Sequence, residues 1–234
     1  MAPAVRLRIA AIQLNGHVES FYIMETRGRI MRSAYDQFQH LGYGRVTMGG
    51  IAETAGVTKR TLYHYFRSKD DLLNEIVGMQ SELLMARVHR WSTSAAADTA
   101  TFIRELFREI AGPSTVTTWA GSGFTRIALE LSHLRGHPAR VTARRHKVEM
   151  ETWLTDELRA RHLGDPAALA CDLMLLLEGA VLLVITHNDP RYAERAAGTA
   201  TLLVESRRCS PQGRHPIPSS AGAARPEPTG LKGQ

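Results

Sequence analysis

Apolar residues recur along this chain with the period of an α-helix. Met48, Ile51, Ala52 and Ala55 fall at i, i+3, i+4 and i+7, which is one face of a helix. An earlier stripe with helical spacing consists of Ile30, Ala34, Phe38 and Leu41. Strand alternation and hairpin signals are missing from the sequence. The pattern therefore predicts an all-α fold of about nine helices.

Two short helices are predicted on either side of a sharp turn. Gly56 interrupts the apolar pattern where such a turn requires a positive φ. Thr58 follows as an N-cap for a helix that opens with Lys59 and Arg60. Two short helices joined by a glycine-containing turn are typical of a helix-turn-helix, whose second helix enters the DNA major groove.

Caps and breaks divide the rest of the chain into further helices. Gly42 is a stop signal for a first helix that begins at Met24, and Thr47 is a cap for the second. Ser68 and Asp71 form a capping box for a fourth helix that runs to Trp91. Glycines, prolines and small polar residues then delimit five more predicted helices, at 101–110, 119–134, 138–163, 166–187 and 190–208.

The two ends of the chain lack this periodicity. Residues 1–23 have weak periodicity and precede the first clear helix, so they are predicted to be a flexible extension. Arg6 and Arg8 hint at a signal peptide, but no long apolar segment follows them. A basic arm that reaches a DNA minor groove is the alternative. Residues 209–234 are rich in Pro, Gly, Ser and Ala and are predicted to be disordered.

Composition narrows the class of protein. The chain has 234 residues, of which 44% are hydrophobic, so it can bury a substantial core. Its longest apolar run, 173–185, is interrupted by Glu178 and Gly179 and falls short of the roughly eighteen residues of a membrane span. Cys171 and Cys209 make neither a disulfide framework nor a metal-ligand spacing, which favours a reducing cytoplasm.

Charge is distributed unevenly along the chain. The net charge is +6, and residues 24–66 carry six basic and three acidic residues, whereas residues 67–206 carry sixteen basic and eighteen acidic ones. A basic, phosphate-binding head on a charge-balanced body fits this distribution. The alternative is ordinary scatter, since the excess of three charges is small.

The chain resembles the TetR family of transcriptional regulators over most of residues 24–208, and most densely from Thr26 to Val77. The ordered motifs IAETAGV, TLYHYF and SKDDLL carry the resemblance. It implies a DNA-binding head at residues 24–68 made of three helices, and a helical-bundle body at residues 69–208 that binds a small ligand and forms a homodimer. Gly49 and Gly50 depart from the family, which more often has polar or acidic residues there.

The predicted DNA contacts lie mainly in the second helix of the motif. Lys59 and Arg60, in its first turn, can donate to guanine O6 and N7. The resemblance implies that Tyr63 and His64 contact the DNA backbone or thymine methyls and that Lys69 holds a phosphate. The full predicted set is Thr47, Thr58, Lys59, Arg60, Thr61, Tyr63, His64 and Lys69. On the opposite face, Leu62, Tyr65 and Phe66 are predicted to be core.

A ligand pocket in the body is predicted from large apolar side chains, which suit an apolar or aromatic effector. The predicted lining residues are Phe102, Phe107, Trp119, Phe124, Met150, Trp153, Met174 and Leu177. The alternative is that most of them form an ordinary core. Trp119 and Phe124 stand out because they flank Gly121 and Gly123 in an irregular stretch.

The segment Leu173 to Ile185 has more apolar residues than one buried stripe needs, which indicates burial on several sides. Pairing it with residues 199–204 and with a second copy of both helices gives a four-helix dimer interface. A fully buried central helix in a monomer is the alternative.

Other chemistry is weakly supported by the sequence. No nucleophile elbow, phosphate loop or HExxH motif is visible, so we predict neither enzyme activity nor a cofactor. His133 and His137 are four residues apart, but Gly136 and Pro138 break the helix that a metal site would need. The basic cluster at 140–147, which includes His146, is interpreted as a solvated helix face, with an acidic ligand as the alternative. A helical protein-binding module is the remaining rival function.

Overall fold

The computed structural model describes residues 18–94, 98–112 and 119–208, and within these ranges the chain is mainly helical. Nine α-helices occur in the described residues: α1 (Val18–Leu41), α2 (Met48–Thr54), α3 (Lys59–Tyr65), α4 (Lys69–Ser94), α5 (Thr99–Ala111), α6 (Phe124–Glu130), α7 (Pro138–Ala160), α8 (Pro166–His187) and α9 (Arg191–Ser206). A π-helical turn, Trp119–Gly123, precedes α6. The predicted all-α class is confirmed.

Most predicted helix boundaries agree with the structure within a few residues, and two differ more. Helix α1 begins at Val18 rather than Met24, since neither glycine nor proline interrupts the segment between them. The helix predicted over 119–134 was wrong in form, because its first turn is π-helical and α6 ends at Glu130. The predicted extension up to residue 17 and the predicted tail at 209–234 lie outside the described residues.

Helices α1, α2 and α3 pack into one small unit around apolar side chains. Ile30, Ile51 and Leu62, one from each helix, are fully buried. Glycines at the start of a helix cost roughly 1 kcal/mol each relative to alanine, so α2 requires tertiary support. Hydrogen bonds from α1 supply it: the Gln37 side-chain amide donates to the Gly50 carbonyl at 3.2 Å, and the Ser33 hydroxyl donates to the Ile51 carbonyl at 3.2 Å.

Helices α4 to α9 form the body. Helix α4 packs against both α1 and α7, so it belongs to the head side and to the body at once. Helix α5 lies against α8 and α9, and α7 lies between α4 and α8 with α6 beside it. The four longest helices, α1, α4, α7 and α8, thus form a continuous series of helix contacts from the head into the body.

Helix α8 is apolar on two faces, and only one of them is covered. Leu173, Leu177 and Val181 are buried against neighbouring helices, whereas Leu175 is 69% exposed and Leu182 is 54% exposed. The alternative of a fully buried central helix is therefore wrong, because one apolar face of α8 lies at the surface of the chain.

Helix α8 is also the one helix in the described residues that has the length and apolarity to cross a membrane, with a mean hydropathy of 2.3 in its most apolar window. Asp172 and Glu178 lie within that window, so the apolar run is interrupted although the average hydropathy is high. Length and apolarity are weak evidence by themselves, because a core helix has the same composition. Helix α8 packs on α5, α7 and α9, and 44% of the window is buried.

Candidate nucleic-acid interface

Helix α3 is held at both ends by contacts that its sequence predicts. The Thr61 amide donates to the Thr58 hydroxyl at 3.0 Å, so Thr58 is the N-cap. Gly56 adopts a φ of +65°, which confirms the predicted turn before the helix. Leu62 and Phe66 are buried and fasten the inner face, and Tyr65 packs partly buried against the same core. The outer face of α3 is consequently fixed in direction.

The outer face of α3 presents polar and basic side chains to solvent. Lys59, Arg60 and His64 are exposed, and the Tyr63 ring is 52% exposed. Thr61 is half-buried, and its hydroxyl lies 2.9 Å from that of Thr58. The structure therefore brings the predicted α3 residues together on one accessible surface, the α3 face, which consists of Thr58, Lys59, Arg60, Thr61, Tyr63 and His64.

Thr47 lies beside this surface at the start of α2. Its hydroxyl accepts the Gly50 amide at 3.1 Å, which confirms that it caps α2. The hydroxyl proton is not used in that bond and can still be donated to a phosphate oxygen. Thr47 is exposed, so such a phosphate can reach it.

The Lys69 ammonium is bonded within the protein, whereas a phosphate contact requires a free N–H donor. Its ammonium donates to the Tyr43 carbonyl at 2.9 Å and to the Val46 carbonyl at 3.1 Å. It also lies 4.0 Å from the centroid of the Tyr43 ring, in cation–π geometry. Lys69 thus ties the loop between α1 and α2 to the start of α4, and its role as a phosphate contact stays a prediction.

Sequence reasoning missed the polar junction around Tyr43, where the head meets the body. The Tyr43 hydroxyl donates to Asp70 Oδ1 at 2.5 Å, and His137 Nε2 lies 3.4 Å from the same oxygen. Burial and the Asp70 hydrogen bond raise the pKa of Tyr43 to about 12. His137 is buried and caps α7, accepting the Ala139 amide through Nδ1 at 3.2 Å. These partners are far apart in sequence, so no local pattern could have identified them.

The predicted effector-lining residues lie inside the body. Seven of them are buried, namely Phe102, Phe107, Phe124, Met150, Trp153, Met174 and Leu177. The side chain of Trp119, the eighth, lies outside the described residues. The Phe102 ring stacks on Trp91 with centroids 4.9 Å apart, and Phe124 stacks on His146 at 3.7 Å. In this conformation their rings pack against one another, and the pocket stays a prediction.

Two cavities lie close to the head, and neither is lined by those eight residues. A small cavity of about 10 Å³ is bounded by Phe38, Gly123, Arg126 and Ile127. An open groove of about 390 Å³ runs between α1, α4 and α7. The groove is lined by Arg27, Met31, Asn74, Glu75, Gly78, Met79, Glu82, Thr142 and Arg145.

The interpretation of the basic cluster on α7 as a solvated face needs correction at two positions. Arg144 and Arg145 are exposed, as expected. His146, however, is only 2% exposed, because α7 turns it towards α4 and α6. Lys147 is half-buried and paired with Glu178 of α8. A helix rotates by about 100° per residue, so consecutive basic residues cannot all share one face.

Comparison with known proteins agrees with this architecture. The sequence model of the bacterial regulatory proteins of the TetR family matches residues 30–76. The transcriptional regulator AcrR of Shigella flexneri is 26% identical over 150 residues, which cover 64% of this chain and 69% of AcrR. The regulator UidR of Escherichia coli strain K12 is 34% identical over 62 residues, which cover 26% of this chain and only 32% of UidR.

Solved structures show the same fold over more of the chain. SCO4454, a TetR-family transcriptional regulator from Streptomyces coelicolor, is 24% identical, with a TM-score of 0.69 over 82% of this chain and 97% of that one. A TetR-family regulator from Agrobacterium tumefaciens is 20% identical, with a TM-score of 0.65 over 78% of this chain and 98% of that one. The relatives are transcriptional regulators and not enzymes. Residues 30–76 therefore match the TetR family of DNA-binding transcriptional regulators, and the described residues have the fold of that family.

Proposed function

We propose that this protein is a cytoplasmic, ligand-responsive repressor that binds a palindromic operator as a homodimer. The observation that carries the proposal is the α3 face, which presents basic and accessible side chains. Helix α3 is capped by Thr58 and is packed against the core through Leu62 and Phe66. In this role the first turn of α3 contacts base edges, and the surrounding donors contact phosphates.

Arg60 is the proposed reader of sequence. A guanidinium can donate two hydrogen bonds to the O6 and N7 atoms of one guanine, which distinguishes G·C from the other base pairs. Arg60 is exposed in the first turn of α3, the part of a recognition helix that contacts base edges. Tyr63 and His64 lie one turn further along, at positions suited to backbone or thymine-methyl contacts.

The experiment compares the parent protein with Arg60→Ala on two DNA duplexes. One duplex is selected by the parent from a randomised pool, and the other has the same composition in shuffled order. We expect Arg60→Ala to reduce the preference for the selected duplex by roughly 5- to 150-fold per half-site, which is the equivalent of about 1–3 kcal/mol. Fluorescence anisotropy at several salt concentrations measures both affinities.

Arg144→Ala is the matched control, because Arg144 is an exposed arginine on α7 and not part of the α3 face. It should leave both affinities unchanged. If the parent protein shows no salt-dependent preference for any selected duplex, the regulator proposal is wrong. If Arg60→Ala keeps the full preference, another residue reads the sequence.

The homodimer is proposed to form through α8 and α9. Leu175, Leu182 and Leu183 make an exposed apolar strip on α8, and Leu202 on α9 is 67% exposed. Gly179 lies within the strip and has nothing within 4 Å of a methyl group placed on it, which leaves room for close approach by another helix. A two-fold axis through this strip makes a four-helix interface and sets the separation of the two heads, which must match half-sites roughly 34–36 Å apart.

Effector control follows from linkage between the body and the head. A small apolar or aromatic molecule that opens the packed body between α5, α6, α7 and α8 must bind the DNA-incompetent arrangement more tightly than the other. A compound that lowers the affinity of the protein for the selected duplex by some factor should therefore bind the DNA-free protein more tightly than the complex by that same factor. Calorimetric titration with and without the duplex measures that factor, and equal affinities would exclude an effector role for the compound.

A further inference from the structure

Gly49, in the first turn of α2, lies directly beneath the side chain of Lys59 from α3. A methyl group placed on Gly49 would lie 3.0 Å from Lys59 Cε and 3.4 Å from Lys59 Nζ. The same position is 3.9 Å from the Thr47 hydroxyl oxygen. The end of the Lys59 side chain therefore lies over the first turn of α2, and a methyl group on Gly49 would have to displace it by a few tenths of an ångström.

This contact distinguishes Lys59 from its neighbour Arg60. Consecutive residues of a helix point about 100° apart, so they cannot both face α2. The Lys59 ammonium lies over Gly49, and the hydroxyl of Thr47, whose proton is available to a phosphate, lies within 4 Å of the same methyl position. An ammonium group acts as a point charge and binds phosphate without the bidentate geometry that base recognition favours.

We infer that Gly49 is a positioning residue: its lack of a side chain leaves room for the Lys59 ammonium over the start of α2, so that Lys59 contacts a backbone phosphate and leaves base reading to Arg60. The inference rests on the proposed DNA-binding function. It explains why a glycine that weakens α2 stands in its first turn, where alanine would favour the helix by about 1 kcal/mol.

The test measures how Gly49→Ala and Lys59→Ala change affinity for the selected and the shuffled duplex. Loss of the Lys59 contact should weaken binding to both duplexes by a similar factor, roughly tenfold or more, and reduce the salt slope of the dimer by about 2, or about 0.9 for each lost phosphate contact. Gly49→Ala should weaken both by at least about threefold and lower the salt slope in the same direction, because the added methyl displaces Lys59.

Gly50→Ala is the matched control. It makes the same change one residue later, where the added methyl would be 3.4 Å from Gln37 Oε1 and 3.4 Å from Thr47 Oγ1, an ordinary contact distance. Its affinity for DNA should equal that of the parent. In a Lys59→Ala background, Gly49→Ala should have no further effect, since the side chain it displaces has been removed. Circular dichroism and urea unfolding verify that each variant folds.

Three results would overturn the inference while the parent still binds its selected duplex: parent-like affinity of Gly49→Ala, an equal loss in Gly50→Ala, or an undiminished Gly49→Ala effect without Lys59. A Lys59→Ala loss confined to the selected duplex would also overturn it, because Lys59 would then read bases. Failure of the parent itself to bind either duplex with salt dependence would instead refute the proposed function.

Discussion

His146 is a histidine held neutral inside the body. Its Nδ1 lies 2.9 Å from the Ser81 hydroxyl of α4, and its ring stacks on Phe124 of α6. Burial, with a smaller contribution from the charge of Lys147, lowers the pKa of His146 to about 3. The neutral His146 side chain of α7 therefore contacts both α4 and α6.

The acid sensitivity of the fold should depend on His146. Between about pH 6.5 and pH 3 the unfolded chain binds a proton at this residue and the folded chain does not, so the free energy of unfolding falls as the pH falls through this range. The contribution of one such group is at most about 1.4 kcal/mol per pH unit. Urea unfolding from about pH 7 down to about pH 5 should show a shallower pH dependence in His146→Leu than in the parent.

His133→Leu provides the comparison, because His133 is exposed. That variant should keep the pH dependence of the parent. Identical pH dependences in the parent and in His146→Leu would show that His146 is not the group responsible. Overall stability is a separate readout, since the leucine also leaves the Ser81 hydroxyl without its partner.

At the scale of elements, α6 holds the end of α1. Arg126 of α6 donates to the Gln39 carbonyl at 2.9 Å, one of the carbonyls that the last turn of a helix leaves unpaired. Glu130, at the end of α6, accepts the Tyr43 amide at 2.6 Å. Gly42 has a φ of +76°, and a methyl group on it would lie only 3.0 Å from the Glu130 carboxylate. Helix α6 is thus a direct polar connection from the body to the head.

Loss of the Glu130 carboxylate should loosen this connection locally. A hydrogen bond to a charged group contributes about 1.5–3 kcal/mol, so we expect the Tyr43 amide to exchange with solvent deuterium roughly tenfold faster in Glu130→Ala. Amide exchange measured by NMR gives the rate directly. Glu149→Ala, at an exposed position of α7, is the control and should leave it unchanged. A parent-like rate in Glu130→Ala would mean that other contacts protect the amide.

At the scale of the whole molecule, the exposed apolar strip on α8 and α9 is the proposed dimer interface. Contiguous apolar surface of this kind is typical of a protein interface. It lies on α8 and α9 of the body, whereas the α3 face belongs to the head. Head spacing then depends on how α4 transmits the arrangement of the body to the head.

A charge in the middle of the strip should separate the subunits. Leu182 is 54% exposed on α8, and Leu182→Glu would bury a carboxylate in the proposed interface, which costs several kcal/mol when it is unpaired. We expect the parent to have twice the chain mass of 25.9 kDa by light scattering and Leu182→Glu to have the single-chain mass. Its affinity for a palindromic duplex should fall as well.

Val148→Glu serves as the control, because Val148 is 55% exposed but lies on α7. It should keep the mass of the parent. A parent of single-chain mass at every concentration would refute the dimer, and a dimeric Leu182→Glu would place the interface elsewhere.

The sequence by itself determined the helical class, the helix-turn-helix and its caps, because these depend on local spacing and on single residues. Thr47, Thr58 and Ser68 cap the helices they were predicted to cap, and the predicted inner face of α3 is buried or half-buried. A side-chain oxygen three residues from the amide it accepts needs no tertiary information. Helix boundaries shifted mainly where no glycine or proline marks them, as at Val18.

Tertiary structure alone decided which polar groups meet. The Tyr43 amide donates to Glu130, the Ser81 hydroxyl lies within hydrogen-bond distance of His146, and Lys69 donates to a carbonyl of the loop between α1 and α2. Tertiary structure also distinguished the covered apolar face of α8 from the open one, which the apolar count could not do. Periodicity indicates which residues share a helix face, whereas the partner of that face depends on how helices distant in sequence pack together.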